Sequence, residues 1–301
     1  MLHFAHIVNP VKAVVDTELY RVQPIVFRSM EVAQAQATDL RIELLAVCYP
    51  EDVAIVPSYL NLLPPLTRSI LDVKLQENTK KLPYIKEILD ALYKNSQAEY
   101  LIYTNADIIL QPYFYQAVAS YIQDGHDALI INRRRISPIY DTPSQLPQIW
   151  AEVGSPHPGF DCFVFHRTLY PKFVLGDILI GTPFIEATLA HNIFAHSQNY
   201  LLLNNHHLTA HLGMEVMPQR SKELYWLNRN AFFKNILPAL KPYLSDSKLP
   251  YANDTWLGKQ VRRILNPAIF TALSIELEGK SYLERLKWYT NELRWKFISK
   301  R

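Results

Sequence analysis

The sequence predicts an α/β fold: a mixed, mostly parallel sheet flanked by helices, with a helical C-terminal extension. Three observations carry this. Strand-length apolar runs alternate with helix-length segments from Phe4 to Leu203. Proline and polar turn formers close several of those runs. From about residue 221 onward the pattern becomes mainly helical and rich in aromatics, which divides the chain into a catalytic-size domain over 1–220 and an extension over 221–301.

Taken in order, Phe4 to Asn9 reads as a first strand that stops at Asn9-Pro10. Thr17 to Thr38 is a helix, with Pro24 as an early irregularity. Arg41 to Tyr49 is a buried strand stopped by Pro50, and residues 50–80 hold short helices and loops. Ile85, Ile88, Leu89 and Leu92 fall on one helical face, so Lys81 to Lys94 is an amphipathic helix. Glu99 to Thr104 is a strand, Pro112 to Gln123 a helix and Asp127 to Asn132 a strand. Residues 137–158 carry five prolines and read as one long loop, a kind of segment that is usually functional or disordered. Phe160 to Phe165 returns to strand, Pro183 to His196 to helix and Tyr200 to Leu203 to strand, and His206 to Gly213 is a histidine-rich turn or strand.

Composition narrows the function classes. With 301 residues, half of them apolar, the chain has enough material for a sizeable core. A net charge of +3 lacks the basic stripe of a nucleic-acid binder, so no nucleic-acid partner is expected. Cys48 and Cys162 both lie in apolar runs and read as buried free thiols, which fits a reducing compartment. The start of the chain has no signal-peptide pattern, and no run approaches the roughly 18–20 apolar residues of a membrane span. The expected location is cytoplasmic, in solution or at a membrane surface. Only eight glycines occur, and neither GxGxxG nor a P-loop is among the motifs, so a bound nucleotide would have its phosphates held by a metal or by side chains.

The sharpest chemical feature is YLIYTNADIIL, residues 100–110. An apolar strand releases Asn105, Ala106 and Asp107 at its carboxyl end, where ligands gather in sheets of this class. Asp107 suits a hard cation such as Mg²⁺ or Mn²⁺, which takes one or two carboxylates plus substrate phosphates; an Asx-turn at a strand end accounts for the same residues without a ligand. His206, His207 and His211 form the densest histidine cluster, and His207 and His211 share a face on a strand or a helix. Arg133-Arg134-Arg135 has the guanidinium chemistry for a diphosphate, or is a solvated basic turn. In the tail, Tyr282, Leu286, Tyr289, Leu293 and Phe297 make an apolar stripe. Lys280, Lys287, Arg294 and Arg301, beside Trp288 and Trp295, give residues 280–301 the character of a basic amphipathic helix, which either rests on an anionic membrane or packs on the domain.

An ordered set of segments over roughly residues 1–215 resembles the GT-A glycosyltransferases: Asn9-Pro10 ending the first strand, Lys81 before the amphipathic helix, Asn105-Ala106-Asp107 in place of that family's DxD motif, and HPGFDCFVF over 157–165. The resemblance implies a Rossmann-like GT-A fold, a nucleotide-diphosphate sugar donor, a glycan or other hydroxyl acceptor, and a divalent cation, Mn or Mg. It implies Asp107 and His211 as metal ligands. It sets Asn9, Asp72, Lys81, Asn105 and Arg133 against the donor, and offers Glu186 or Asp161 as the base that takes the acceptor proton. Asn105 departs from the motif, whose first position is Asp. For Glu186 a helix-start acid, and for Asp161 a turn residue, are the structural alternatives. Two other functions compete: a non-catalytic sugar-nucleotide or glycan-binding protein of the same fold, and a metal-dependent phosphohydrolase built on the histidine cluster.

Overall fold

The structure, a computed structural model, describes residues 1–73, 81–213, 222–250 and 255–257, without the side chains of residues 156–158, 222 and 246. The helix expected over 280–301 and most of the extension lie outside the described residues.

The strands are β1 (His3–Val8), β2 (Arg41–Ala46), β3 (Asn61–Leu62), β4 (Tyr100–Thr104), β5 (Ile109–Leu110), β6 (Ala128–Ile136), β7 (Ser155–His166), β8 (Tyr200–Leu203) and β9 (Thr209–Leu212). They form one sheet in the order β3-β2-β1-β4-β7-β6-β9-β5, with β8 also pairing β6. Among the described strands the sheet is mixed and mostly parallel. β7 runs antiparallel between β4 and β6, and β5 antiparallel to β9.

Alternation along the strands sends side chains to two apolar layers. On one face Ile7, Leu101, Ile130, Phe163 and Phe165 pack with Ile85, Ile88, Leu89 and Leu92 of α2 (Ile85–Asn95) and with Leu189 and Ile193 of α5 (Ile185–His196). On the other, Phe4, Val8, Ile102, Leu129, Ile131 and Val164 pack with Val22, Ile25, Val26 and Met30 of α1 (Glu18–Gln36) and with Phe114, Val118 and Ile122 of α3 (Phe114–Gln123). Each fully buried Leu, Ile or Phe stabilises by about 1.5–3 kcal/mol. Thr17 caps α1 by accepting from the Tyr20 amide, and the helix runs unbroken through Pro24. The described part of the extension joins the first layer: α6 (Lys222–Ala231) continues through a wider turn over Phe232–Ile236 into α7 (Leu237–Leu240). There Phe232, Ile236 and Leu240 are buried.

Two expectations change. Residues 137–158 are not one long loop: they contain a tight turn at Pro143–Gln145, the helix α4 (Leu146–Ala151) and the start of β7. Proline is tolerated in the first turn of a helix, where its missing donor has no partner to lose, and α4 anchors by burying Leu146 and Ile149 and by a Trp150 Nε1 bond to the Leu110 carbonyl of 2.9 Å. Second, the three arginines do not form a solvated turn. β6 continues through them, and Arg133 and Arg134 are buried.

Candidate functional site

The candidate crevice is the region where the carboxyl ends of β1, β4 and β6 meet the first half of β7. β7 runs against its neighbours, pairing Cys162 with Thr104, so Asp161 lies just past the end of β4. The pairing of β5 with β9 sets Ile109 opposite Ala210, which carries the preceding turn, and with it Asp107, beside His211. Asp107 Oδ2 stands 3.4 Å from His211 Nε2, and Glu18 Oε1, in the first turn of α1, stands 3.7 Å from the same nitrogen. Burial by itself would raise the Asp107 pKa, but the hydrogen bond and charge of His211, together with the charge of Arg133, outweigh it and hold the carboxyl below its ordinary value. The Asp107 side chain is 25% exposed, yet its Oδ1 is buried and has no hydrogen-bond partner among the described residues.

Side-chain direction in β6 follows from its neighbours. Arg134 and Ile136 pair with Ala210 and Leu212, which face the α1 layer, while Arg135 pairs with His211 on the opposite face. A bulge at Asn132 re-aims the strand here. Asn132 is buried and stitches the bulge to the next strand: its Oδ1 accepts from the His206 amide at 3.1 Å and its carbonyl from the Thr209 hydroxyl. Arg134 turns away from the crevice, donating to Asn205 Oδ1 at 2.7 Å and to the carbonyls of Val153 and Gly154. Arg133 turns into it, its Nη1 2.8 Å from Asp161 Oδ2, an ion pair whose side chains are 4% and 15% exposed.

Asn105 sits inside this network. Its Nδ2 donates to Asp161 Oδ1 at 2.7 Å, and its Oδ1 accepts from the Tyr103 hydroxyl at 2.7 Å. Burial pushes the Tyr103 phenol well above its ordinary pKa, so that hydroxyl stays a donor. The amide therefore has a defined orientation, and both ends of Asn105 are engaged within the protein. Glu186, in the first turn of α5, accepts the Phe160 amide on Oε2 at 3.0 Å, which brings it beside the Asp161 end of β7. The residue before this helix, Phe184, holds a left-handed φ of 84° and packs against Tyr225, Phe232 and Phe233.

The remaining sequence candidates, His211 apart, are bonded to other partners than the Asp107 turn. Asn9 closes β1 at 4% exposure, with Nδ2 donating to the Val47 carbonyl and Oδ1 without a partner among the described residues. Lys81 donates to Glu51 at 2.6 Å and lies 3.8 Å over the Tyr49 ring. Asp72 accepts the Ser69 amide in a capping box at Ile70–Asp72. The histidine cluster separates: His207 bonds Gln111 at 2.8 Å, His206 faces Tyr121, and only His211 reaches Asp107. Sequence reasoning did not single out Glu18 or Tyr103. For Glu18 the available signal was an acid following a Thr N-cap, which ordinarily only favours the helix dipole.

Both cysteines are buried free thiols. No helix among the described residues is long and apolar enough to cross a membrane. No family model matches the sequence, and no curated protein matches it. Among solved structures, the chain is similar to TarS 1–349 from S. aureus in complex with UDP-GlcNAc, at 12% identity and a TM-score of 0.47 over 90% of this chain and 80% of that one. It is also similar to glucosyl-3-phosphoglycerate synthase from Mycobacterium tuberculosis in complex with phosphoglyceric acid, at 13% identity and a TM-score of 0.46 over 82% of each chain. The same synthase in complex with Mn²⁺, UDP-Glc and phosphoglyceric acid gives 13% identity and a TM-score of 0.44, over 82% of each chain. These are likenesses of α/β chain path, and they give no residue of this chain a role.

Proposed function

We propose that this chain is a glycosyltransferase that moves a sugar from a nucleotide-diphosphate donor to a hydroxyl of a glycan or glycoconjugate acceptor, assisted by a divalent cation. One observation carries the reading. At the carboxyl edge of the sheet, a buried carboxylate oxygen of Asp107 with no partner among the described residues adjoins His211 and the Arg133–Asp161 pair.

The residues fit a hard cation that borrows most of its ligands. Among the described residues no group of three His, Cys, Asp or Glu side chains could hold a metal ion. Asp107 and His211 offer one carboxylate and one imidazole, and Mn²⁺ or Mg²⁺ commonly takes its remaining ligands from phosphates and water. When bound, such an ion neutralises charge on a leaving diphosphate.

The other roles belong to the chain itself. Asp161 has one oxygen on Asn105 and the other on Arg133, which makes it a poor proton acceptor and a firm support for the crevice wall. Glu186 is the better base. The Phe160 amide orients its carboxylate, which takes the proton of the acceptor hydroxyl as that oxygen bonds to the anomeric carbon and the bond from that carbon to the diphosphate oxygen breaks. Asn9, whose Oδ1 is buried at the end of β1 without a partner among the described residues, is assigned to the donor by the family resemblance alone.

The test is a thermal-shift screen of nucleoside diphosphates, with and without Mn²⁺, on the wild type and Asp107→Ala. A ligand present at 100 times its dissociation constant adds about 2.7 kcal/mol to stability. The expected result is manganese-dependent stabilisation by one nucleotide, absent in Asp107→Ala, followed by release of that nucleotide from its sugar conjugate when acceptor is added. A folded wild type stabilised by none of them rejects the donor site; stabilisation without turnover favours a non-catalytic binding protein.

A further inference from the structure

Three consecutive arginines occupy β6, and the structure separates them. Arg133 is committed to Asp161, and Arg134 faces the other layer and holds the 153–154 turn and Asn205. Arg135 does neither. Its Nε is buried without a hydrogen-bond partner among the described residues. A buried guanidinium nitrogen with no partner is costly, since burial strips its hydration without a hydrogen bond in exchange.

The position of Arg135 is equally specific. It pairs with His211 on β9 along one edge of β6 and with Ser155 on β7 along the other. His211 carries the contact to Asp107, so Arg135 emerges on the crevice face next to the proposed cation. Its main chain is clamped: Gly154 has a φ of 63°, and a Cβ there would lie 2.2 Å from the Arg135 carbonyl oxygen. A strand residue gripped on both edges and packed under a glycine turn is a rigid mount, and a rigid mount suits a planar fork that binds phosphate oxygens in pairs.

We infer that Arg135, rather than Arg133 or Arg134, is the anion-binding arginine of the crevice, and that its ligand is the diphosphate of the donor. This rests on the transferase reading for the identity of the anion. A phosphorylated acceptor offers the same chemistry, so the experiment separates the two. Arg135 binds the diphosphate oxygens turned away from Asp107 and His211.

The experiment is isothermal titration of the full chain with inorganic pyrophosphate in the presence of Mg²⁺, on wild type, Arg135→Gln, Arg135→Lys and Asp107→Ala. Arg135→Gln is expected to weaken pyrophosphate at least tenfold with an unchanged melting temperature, and Arg135→Lys several-fold, because lysine keeps the charge and loses the fork. A nucleoside diphosphate is expected to displace the pyrophosphate. Unchanged affinity in Arg135→Gln overturns the inference; if Asp107→Ala still abolishes binding, the transferase reading survives that result. Should Arg135→Gln fail to fold, unchanged affinity in folded Arg135→Lys overturns it equally. Pyrophosphate that no nucleoside diphosphate displaces overturns the assignment to the donor. A wild type that binds no pyrophosphate overturns the inference outright, and the nucleotide screen above then judges the transferase reading separately.

Discussion

Asn105 donates to Asp161 and accepts from Tyr103, so this position requires one donor and one acceptor at the same time. An aspartate here, the residue a DxD motif would supply, would bring a second carboxylate within hydrogen-bond distance of Asp161 and remove the donor between them. Asn105→Asp is therefore expected to lower stability by about 2 kcal/mol and to leave turnover no higher than in the wild type. Adding Asp161→Asn should recover part of that loss, because an amide then faces the new carboxylate. Urea unfolding of the two single variants and the double variant measures the coupling, and a more stable or more active Asn105→Asp would contradict the account. Asp107, His211, Asp161 and Glu186 were legible in the sequence as residue types at strand and helix ends. Their proximity was not, because it depends on the register of β5 against β9 and on the direction of β7, neither of which hydrophobic periodicity sets. The engagement of Asn105 by Tyr103 was hidden for a similar reason: a tyrosine in an apolar strand reads as core until its hydroxyl is found next to a polar group.

At the scale of elements, β6 shows where pattern reading stops. Its first half, Ala128 to Ile131, is apolar and was recognised; its second half is charged, and charge suggested a turn. What keeps those arginines in a strand is pairing on both edges together with polar partners for Arg133 and Arg134. α4 is hidden in the sequence pattern because prolines read as loop formers, although Pro147 sits in a first turn that accepts it. The two-residue strands β3 and β5 are too short for any periodicity. The turn that joins α4 to β7 is tested by Gly154→Ala. A Cβ there meets backbone, not a flexible side chain, and the residue would hold a positive φ. The expected loss is about 2–3 kcal/mol or more, read as a lower urea midpoint with an unchanged m-value; a neutral substitution would mean that the turn is not clamped as described.

For the whole molecule, the apolar alternation that marked the α/β class also builds both layers of the core, so the fold was the most legible level. Two histidines inside those layers contribute to its acid sensitivity. His6 is buried between the Tyr115 and Thr104 hydroxyls, each at 2.8 Å, and burial lowers its pKa to about 3. His191 is buried in α5, and burial lowers its pKa to about 4, against a smaller opposing effect of its bond to the Ala187 carbonyl. Both are neutral in the fold, whereas the unfolded chain protonates them below about pH 6.5. Their contribution is complete above that pH and is lost as pH falls towards 4, with a limiting slope for two protons of about 2.7 kcal/mol per pH unit. Urea unfolding between pH 4.5 and 7 should show this fall, and His6→Gln should reduce the slope by up to about 1.4 kcal/mol per pH unit, one proton's share. A flat profile would mean that these imidazoles accept protons without leaving the native state.

Along one edge β6 is bordered by β8 and then by β9, and Asn132 ties the seam between them. The strand thus belongs to two neighbourhoods joined end to end: an inner apolar one, Ala128 to Ile131, that packs in both core layers, and an outer one that carries the three arginines. On the proposed transferase reading, sequence drift in the outer neighbourhood, including the segment from Ser137 to Gly154 that leads into β7, would alter the donor site while the inner one continues to specify the fold. If that reading holds, divergence in ligand preference and constancy of architecture fall to different stretches of a single strand.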